Sequence, residues 1–273
     1  MSFSDFRRVP RRALGFARAL TSRFAIPWLA KFSRTPPFRF GAMSLWPGTY
    51  IAHVPDRYFL NREKYLRGGG EFDRHAAEFI RGGDANSSGD MTRYFSFALI
   101  SDQIGKESLT GDIAELGVYK GSTAILLAAL ARKLGSTAYL FDTYEGFDAA
   151  DLVGIDANKS KIFTDTTLES VRSVVGEQNV RYVKGHFPES AFDLPSDLRF
   201  CLVHIDCDLY APIKAALQYF YPRLINGGFL VMHDYAGLYW NGAEKAIDEF
   251  FSDKPERLIP IPDKSGTAVI RKL

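Results

Sequence analysis

Residues 204–210, His-Ile-Asp-Cys-Asp-Leu-Tyr, and the later run Met232-His233-Asp234-Tyr235 gather carboxylates and imidazoles behind two apolar stretches. Those stretches, Phe200-Cys-Leu-Val-His-Ile and Gly228-Phe-Leu-Val-Met, are short and continuous, which predicts strands buried on both faces. Neighbouring strands of one sheet lie about 4.8 Å apart, so acids that end two of them can converge on one point. Several oxygens with one imidazole suit a divalent cation. Acids also end buried strands simply because loops begin there, and the cluster alone leaves both readings open.

A second constellation lies upstream. Ile113-Ala-Glu115-Leu-Gly117-Val-Tyr-Lys-Gly121-Ser122-Thr runs directly into Ala124-Ile-Leu-Leu-Ala-Ala-Leu-Ala-Arg132, a stretch of high helix propensity. Strand, glycine turn and helix in that order leave backbone bare for a ligand to approach. The glycines are spaced Gly-x-x-x-Gly, not Gly-x-Gly-x-x-Gly, which argues against a dinucleotide fingerprint. Ala138-Tyr-Leu-Phe-Asp142 then reads as a second strand ending in an acid, where a carboxylate can bind ribose hydroxyls. Together these point to an adenosyl cofactor.

The residues that carry a family resemblance are Ala114-Glu-Leu-Gly-Val-Tyr-Lys-Gly-Ser, Phe141-Asp-Thr-Tyr-Glu-Gly-Phe147, Lys184-Gly-His-Phe-Pro-Glu-Ser190, Ile205-Asp-Cys-Asp-Leu-Tyr210 and Tyr221-Pro-Arg-Leu-Ile-Asn-Gly-Gly-Phe229. In order and spacing the chain resembles the class I, S-adenosylmethionine-dependent O-methyltransferases of the macrocin and novobiocin-sugar type, over about residues 85 to 270. The resemblance implies a Rossmann-like fold and an O-methyl transfer to a hydroxyl of a sugar or glycosylated small molecule. It implies that Glu115, Gly117 and Gly121, with Ser122, line the methionine and ribose end of the cofactor, and that Asp142 holds the ribose hydroxyls. It implies that Asp206 and Asp234 bind magnesium with position 233 as a third ligand, and that Asp208 is the general base. The departure is His233, where the family commonly has a second aspartate; imidazole prefers zinc, iron or manganese to magnesium.

Such residues would be needed because the sulfonium donor is already reactive and the acceptor hydroxyl is barely ionised. Metal binding acidifies oxygen strongly, as water falling from about 15.7 to about 7 on zinc illustrates, and a positioned carboxylate adds roughly a hundred- to ten-thousand-fold. Runner-up readings keep the cofactor without a metal, or make the chain a non-catalytic membrane-associated protein with a degenerate fold.

Other residues carry two readings each. His204, inside an apolar strand, reads as a satisfied core histidine before a ligand. His186 is placed near the adenine, and Phe187 beside it is expected to pack against the base or the core. Tyr235, Tyr239 and Trp240 form an acceptor wall or ordinary loop packing. Gly146 to Lys161, with Phe147, Asp148, Asp151, Asp156 and Lys159, is long for a connection and is either a lid or a solvated acidic loop. Asn86-Ser-Ser-Gly-Asp-Met-Thr reads as a helix cap before Arg93-Tyr-Phe-Ser-Phe, with a substrate-side loop as the alternative.

The elements that must position these groups follow from the pattern. Strands are predicted at 111–116, 137–142, 179–184, 200–206, 228–233 and 267–271 with helices between most of them, which gives a mostly parallel sheet covered on both faces. Ligands then bind beyond the strands' carboxyl ends. The chain of 273 residues divides into a leader (1–40), a connecting, partly helical region (41–110) with glycine joints at 68–70 and 82–83 around a surface helix at 71–81, and a catalytic domain (111–273). The leader holds nine Arg or Lys and one acid, a net of +8 in a chain of +2, so the remainder carries −6. Interleaved with aromatics and interrupted by Pro10, Pro27, Pro36 and Pro37, it reads as peripheral membrane contact, a transit-like presequence, or an arm packed in a homo-oligomer. No recognition motif accompanies the charge, so nucleic acid is not expected. Cys201 and Cys207 lie about 20 Å apart along a strand, beyond disulfide reach, which agrees with a cytoplasmic chain.

Overall fold

In the computed structural model, residues 91–273 are described apart from 238 and 264, together with the backbone at 38–40, 43–45 and 51–53. The other N-terminal expectations, for the leader, the glycine joints, the helix at 71–81 and the cap at 86–90, lie outside the described residues. By compactness the chain divides into residues 1–59 and 60–273. In the first unit, β1 (Phe38–Phe40), β2 (Met43–Leu45) and β3 (Ile51–His53) form a small antiparallel sheet that the sequence pattern does not announce.

The second unit is built on seven strands. They are β4 (Asp112–Leu116), β5 (Ala138–Asp142), β6 (Val180–Lys184), β7 (Phe200–Ile205), β8 (Leu224–Met232), β9 (Ile259–Pro260) and β10 (Ala268–Arg271), in the spatial order β6-β5-β4-β7-β8-β10-β9. Pairing is parallel from β6 through β8 and antiparallel at β10 and β9. This is the expected α/β sheet, with β9 an addition at its edge. The helices are α1 (Met91–Lys106), α2 (Ser122–Leu134), α3 (Leu168–Val175), α4 (Tyr210–Phe220) and α5 (Asn241–Phe251). Helix α2 packs against α1 and α3, while α4 packs against α5. The helix α1, which the sequence pattern assigns to a connecting region, belongs to the same compact unit as the sheet. No helix among the described residues is long and apolar enough to cross a membrane.

Local chemistry sets these boundaries. All six residues of β7 are buried, as a strand covered on both faces requires. Helix α2 is Ala- and Leu-rich and stops at Gly135, left-handed at φ 67°, whose N–H returns to the Ala131 and Arg132 carbonyls. Helix α3 opens on a capping box between Thr167 and Ser170. Between sheet and helices, Phe141, Phe187, Phe200 and Phe220 meet at centroid distances of 5.5 to 5.7 Å. Each such ring contributes roughly 1.5–3 kcal/mol through burial alone. Cys201 and Cys207 are both free.

The order of strands reverses between β4 and β7, and backbones crowd there. Gly117, at φ 90°, sits where an added Cβ would lie 1.9 Å from the Asp206 carbonyl oxygen. Gly135 shares the left-handed conformation but faces open space. Gly135→Ala is therefore expected to cost only its backbone strain, about 1–2 kcal/mol. Gly117→Ala must also push two strand ends apart and is expected to cost more than about 4 kcal/mol. Urea denaturation of the two variants checks this, and equal losses would contradict it.

Candidate functional site

One cavity opens over the carboxyl ends of the parallel strands, where a sheet of this topology places ligands. Its lining includes Leu116, Gly117 and Tyr119 after β4, Asp142 and Thr143 after β5, Gly185 to Phe187 after β6, Asp206 to Leu209 after β7, and His233 and Asp234 after β8. Arg93 of α1 reaches it from one side; Phe147, Asp148, Asp151, Phe163 and Trp240 line it from the loops.

Asp142 holds the glycine turn together. Its Oδ2 accepts the Val118 and Tyr119 amides at 2.7 and 2.9 Å, and Oδ1 accepts the Tyr144 amide at 2.6 Å. A carboxylate offers about four acceptor positions, so three amides leave it little capacity for a ribose beyond one further bond. The turn is braced from outside as well. Tyr119 Oη and Lys120 Nζ donate to Asp165 at 2.7 and 2.6 Å, and Thr166 Oγ1 donates to the Tyr119 carbonyl at 2.5 Å.

The acids after β7 and β8 do meet. Ligand atoms of Asp206, His233 and Asp234 all lie within 4.8 Å of one another. His233 Nδ1 is 2.7 Å from Asp206 Oδ1 and 3.1 Å from Asp234 Oδ2. Adjacent ligands of one divalent ion at about 2.1 Å are separated by about 3 Å, so this donor set fits such an ion. Arg93 Nη2 donates to the other oxygen of Asp206. Burial opposes ionisation of Asp206, but His233 and Arg93 together hold it well below the usual carboxylate range. Burial and Arg93 push the His233 imidazole down, yet Asp206 and Asp234 raise it to about 10. Asp208 stands at φ 61° and is 9% exposed. Burial first, then the charges of Asp234 and Asp206, push its carboxyl well above the ordinary range.

Several expected site residues lie elsewhere. Glu115 does not line the cavity: it is 1% exposed, and its Oε1 lies 2.9 Å from His204 Nδ1. Strand register causes this, since Glu115 is the partner of His204 across β4 and β7. His204 is accordingly a satisfied core residue, with Phe97 edge-on to its ring at 5.0 Å. Gly121 and Ser122 are also outside the lining. A Cβ at Gly121 would meet Val175 at 2.9 Å, so this glycine admits α3 rather than a ligand. Phe187 lines the cavity, and its ring, 4% exposed, packs on Phe141, Tyr219 and Phe220. His186 does line the cavity, gripped by Asp151 at 2.9 Å and Glu189 at 3.0 Å. Of the aromatics after β8, Trp240 walls the cavity, Tyr235 bonds Asp248 at 2.8 Å, and Tyr239 is 61% exposed.

Arg93 is the functional residue that the sequence reading passes over. The available signal was a charge at the head of the apolar stripe Arg93, Phe97, Ile100, Ile104 on α1, all four buried.

Residues 89–262, more than half of the chain, match the Macrocin-O-methyltransferase (TylF) family, and the chain belongs to that family. It is similar to the 8-demethyl-8-(2,3-dimethoxy-alpha-L-rhamnosyl)-tetracenomycin-C 4'-O-methyltransferase of Streptomyces olivaceus, at 30% identity over 48% of this chain and 55% of that one. It is similar to the demethyldecarbamoylnovobiocin O-methyltransferase of Streptomyces niveus at 26% identity over 61% of this chain and 68% of that one. The chain thus spans little more than half of the first relative and about two thirds of the second. The solved O-methyltransferase NovP shares the fold with a TM-score of 0.61 at 18% identity, over 80% of this chain and 99% of that one.

The Glu115–His204 pair has a thermodynamic signature. Burial, then the Asp206 charge, raises Glu115 well above its ordinary value, and burial lowers His204 well below its own, so the folded pair is neutral with one proton. Between about 4.3 and about 6.5 the unfolded chain also carries one proton, on the histidine. Above about 6.5 it carries none, so the pair's contribution falls as pH rises until the folded carboxyl ionises. Glu115→Gln removes that fall. Its stability relative to wild type is expected to grow as pH rises above about 6.5, by at most about 1.4 kcal/mol per pH unit while the folded carboxyl of the wild type keeps its proton. A pH-independent difference in denaturation free energy would contradict the neutral pair.

Proposed function

We propose that this family member is an S-adenosylmethionine-dependent O-methyltransferase acting on a hydroxyl of a sugar or glycosylated small molecule, with a divalent cation assisting. The observation that carries the reading is the meeting, in one cavity, of an amide-rich glycine turn closed by Asp142 with the acids Asp206, Asp208 and Asp234. The names of the two sugar-antibiotic relatives support the acceptor class.

On this reading the adenosyl group lies along the turn at 117–119, Asp142 and the loop at 185–187. When bound, S-adenosylmethionine would supply a methyl group on a sulfonium for the acceptor oxygen and would leave as S-adenosylhomocysteine. Asp208 takes the acceptor's proton; burial and the charges of Asp234 and Asp206 raise its carboxyl above the ordinary range, which makes its carboxylate a stronger base than a free one. Phe147, Phe163 and Trp240 give the cavity an apolar wall that keeps water from competing for the methyl group. Asp206, Asp234 and, once its imidazole has given up its proton, His233 Nδ1 would hold the cation, which when bound supplies Lewis acidity toward the acceptor hydroxyl. The imidazole favours manganese, iron or zinc over magnesium. A metal-free reading has its own support, because Arg93 and His233 already place positive charge on Asp206.

Two experiments test these statements. Formation of S-adenosylhomocysteine is measured with a panel of deoxysugar glycosides as acceptors. Asp208→Asn is expected to lower turnover at least about a hundredfold while cofactor affinity stays within about threefold; retained turnover would remove the base assignment. Elemental analysis of dialysed protein is expected to find a divalent metal in the wild type and none in the Asp206→Asn, Asp234→Asn double variant. Metal-free wild type with full turnover would select the metal-free reading.

A further inference from the structure

The segment 146–165 contributes Phe147, Asp148, Asp151 and Phe163 to the cavity, but one of its acids faces away from it. Asp156 ends the short turn Gly154–Asp156 and is 1% exposed. Its Oδ2 accepts the Tyr210 backbone N–H at 2.7 Å, at the first residue of α4. The same carboxylate lies against the first turn of α5: a Cβ added at Gly242 would come within 2.5 and 2.6 Å of its two oxygens.

Neither helix caps itself. Leu209 precedes α4 and Trp240 precedes α5, and neither supplies a side-chain acceptor. The first amides of a helix lack intrahelical partners and form the positive end of its dipole. A local Ser, Thr, Asn or Asp normally meets that need. Here one carboxylate meets α4 from 54 positions away in sequence and rests against α5.

Both helix starts bear on the site. Tyr210 follows Asp208 by two residues, and Asp208 is held at φ 61°, a conformation a residue with a Cβ keeps only when its surroundings enforce it. Trp240 walls the cavity, and Phe147 meets its ring edge-on at 5.7 Å. Lys159, near the far end of the same segment, sits 3.7 Å from the Tyr239 ring and 4.9 Å from that of Trp240. We propose that Asp156 is a positioning residue that pins segment 146–165 to the starts of α4 and α5 and so fixes Asp208 and Trp240 around the acceptor. The role given to Asp208 rests on the methyltransferase reading; the pin itself does not.

The test is amide hydrogen exchange on the full chain, read by mass spectrometry, for wild type, Asp156→Ala, Asp156→Asn and Gly242→Ala. Loss of a cap is worth about a factor of ten in local opening, so Asp156→Ala is expected to speed exchange about tenfold at 208–214 and, through lost packing against Gly242, about threefold at 240–246, with β7 and α2 unchanged. Asp156→Asn keeps an oxygen acceptor and is expected to restore 208–214. Gly242→Ala leaves Asp156 in place but displaces its carboxylate. It should reproduce the faster exchange, against the stabilisation that alanine ordinarily gives a helix. Turnover of the glycoside acceptors is expected to fall about tenfold in Asp156→Ala, with Asp156→Asn restoring most of it. Exchange within twofold of wild type at both helix starts in Asp156→Ala and Gly242→Ala would overturn the proposal, as would an increase spread over the whole sheet. Failure of wild type to bind S-adenosylhomocysteine would instead overturn the functional reading, and the exchange comparison would still decide the pin.

Discussion

Asp206 is fixed from four directions, and the cavity takes its shape from that. Its amide donates to the Leu116 carbonyl at 2.8 Å, which joins the ends of β4 and β7. Its own carbonyl lies so close to Gly117 that no side chain fits between them. Arg93 holds one carboxylate oxygen and His233 the other. A buried carboxylate is costly unless it is paired and hydrogen-bonded, so the two cations and the acid depend on one another. The same residue therefore sets the height of the glycine turn, the position of α1 and the spacing between the ends of β7 and β8. Asp208 and Asp234, at left-handed φ of 61° and 60°, extend that arrangement into the cavity.

A second layer lies beneath. Glu115 and His204 pair in the core, under Arg93, whose guanidinium approaches His204 Nε2 at 3.4 Å. The tautomer that lets Arg93 donate there has Nδ1–H donating to Glu115, which agrees with a neutral imidazole beside a protonated acid. Having His233 among the acids adds an imidazole to a donor set otherwise made of oxygens.

Much of this was legible in the sequence because strands buried on both faces write their apolar runs plainly, as at 200–205 and 228–232. Acids at the ends of β5, β7 and β8 could be placed on one rim once the sheet was read as parallel. What could not be read was register. Glu115 looks like a ligand in the linear chain and becomes a core residue only because β4 pairs it with His204. Nor could the sequence show which glycine admits a neighbouring strand end and which admits a helix: Gly117 and Gly121 are alike in spelling but face Asp206 and Val175. Phe187 was drawn into the aromatic cluster around Phe220, a tertiary choice with no local signal. Arg93 escaped notice because α1 falls in what reads as a connecting, partly helical region until its partner is known. The small antiparallel sheet at 38–53 is built from three-residue strands, too short for a periodic pattern to announce.

The glycine turn, Asp142 and the acid rim have a shared purpose only if an adenosyl group occupies the cavity. Calorimetric titration of the full chain with S-adenosylhomocysteine, at fixed manganese and again without metal, tests that most directly. The account predicts one site per chain with a dissociation constant near the micromolar range, about −8 kcal/mol. Folded protein that takes up no S-adenosylhomocysteine under either condition would contradict it.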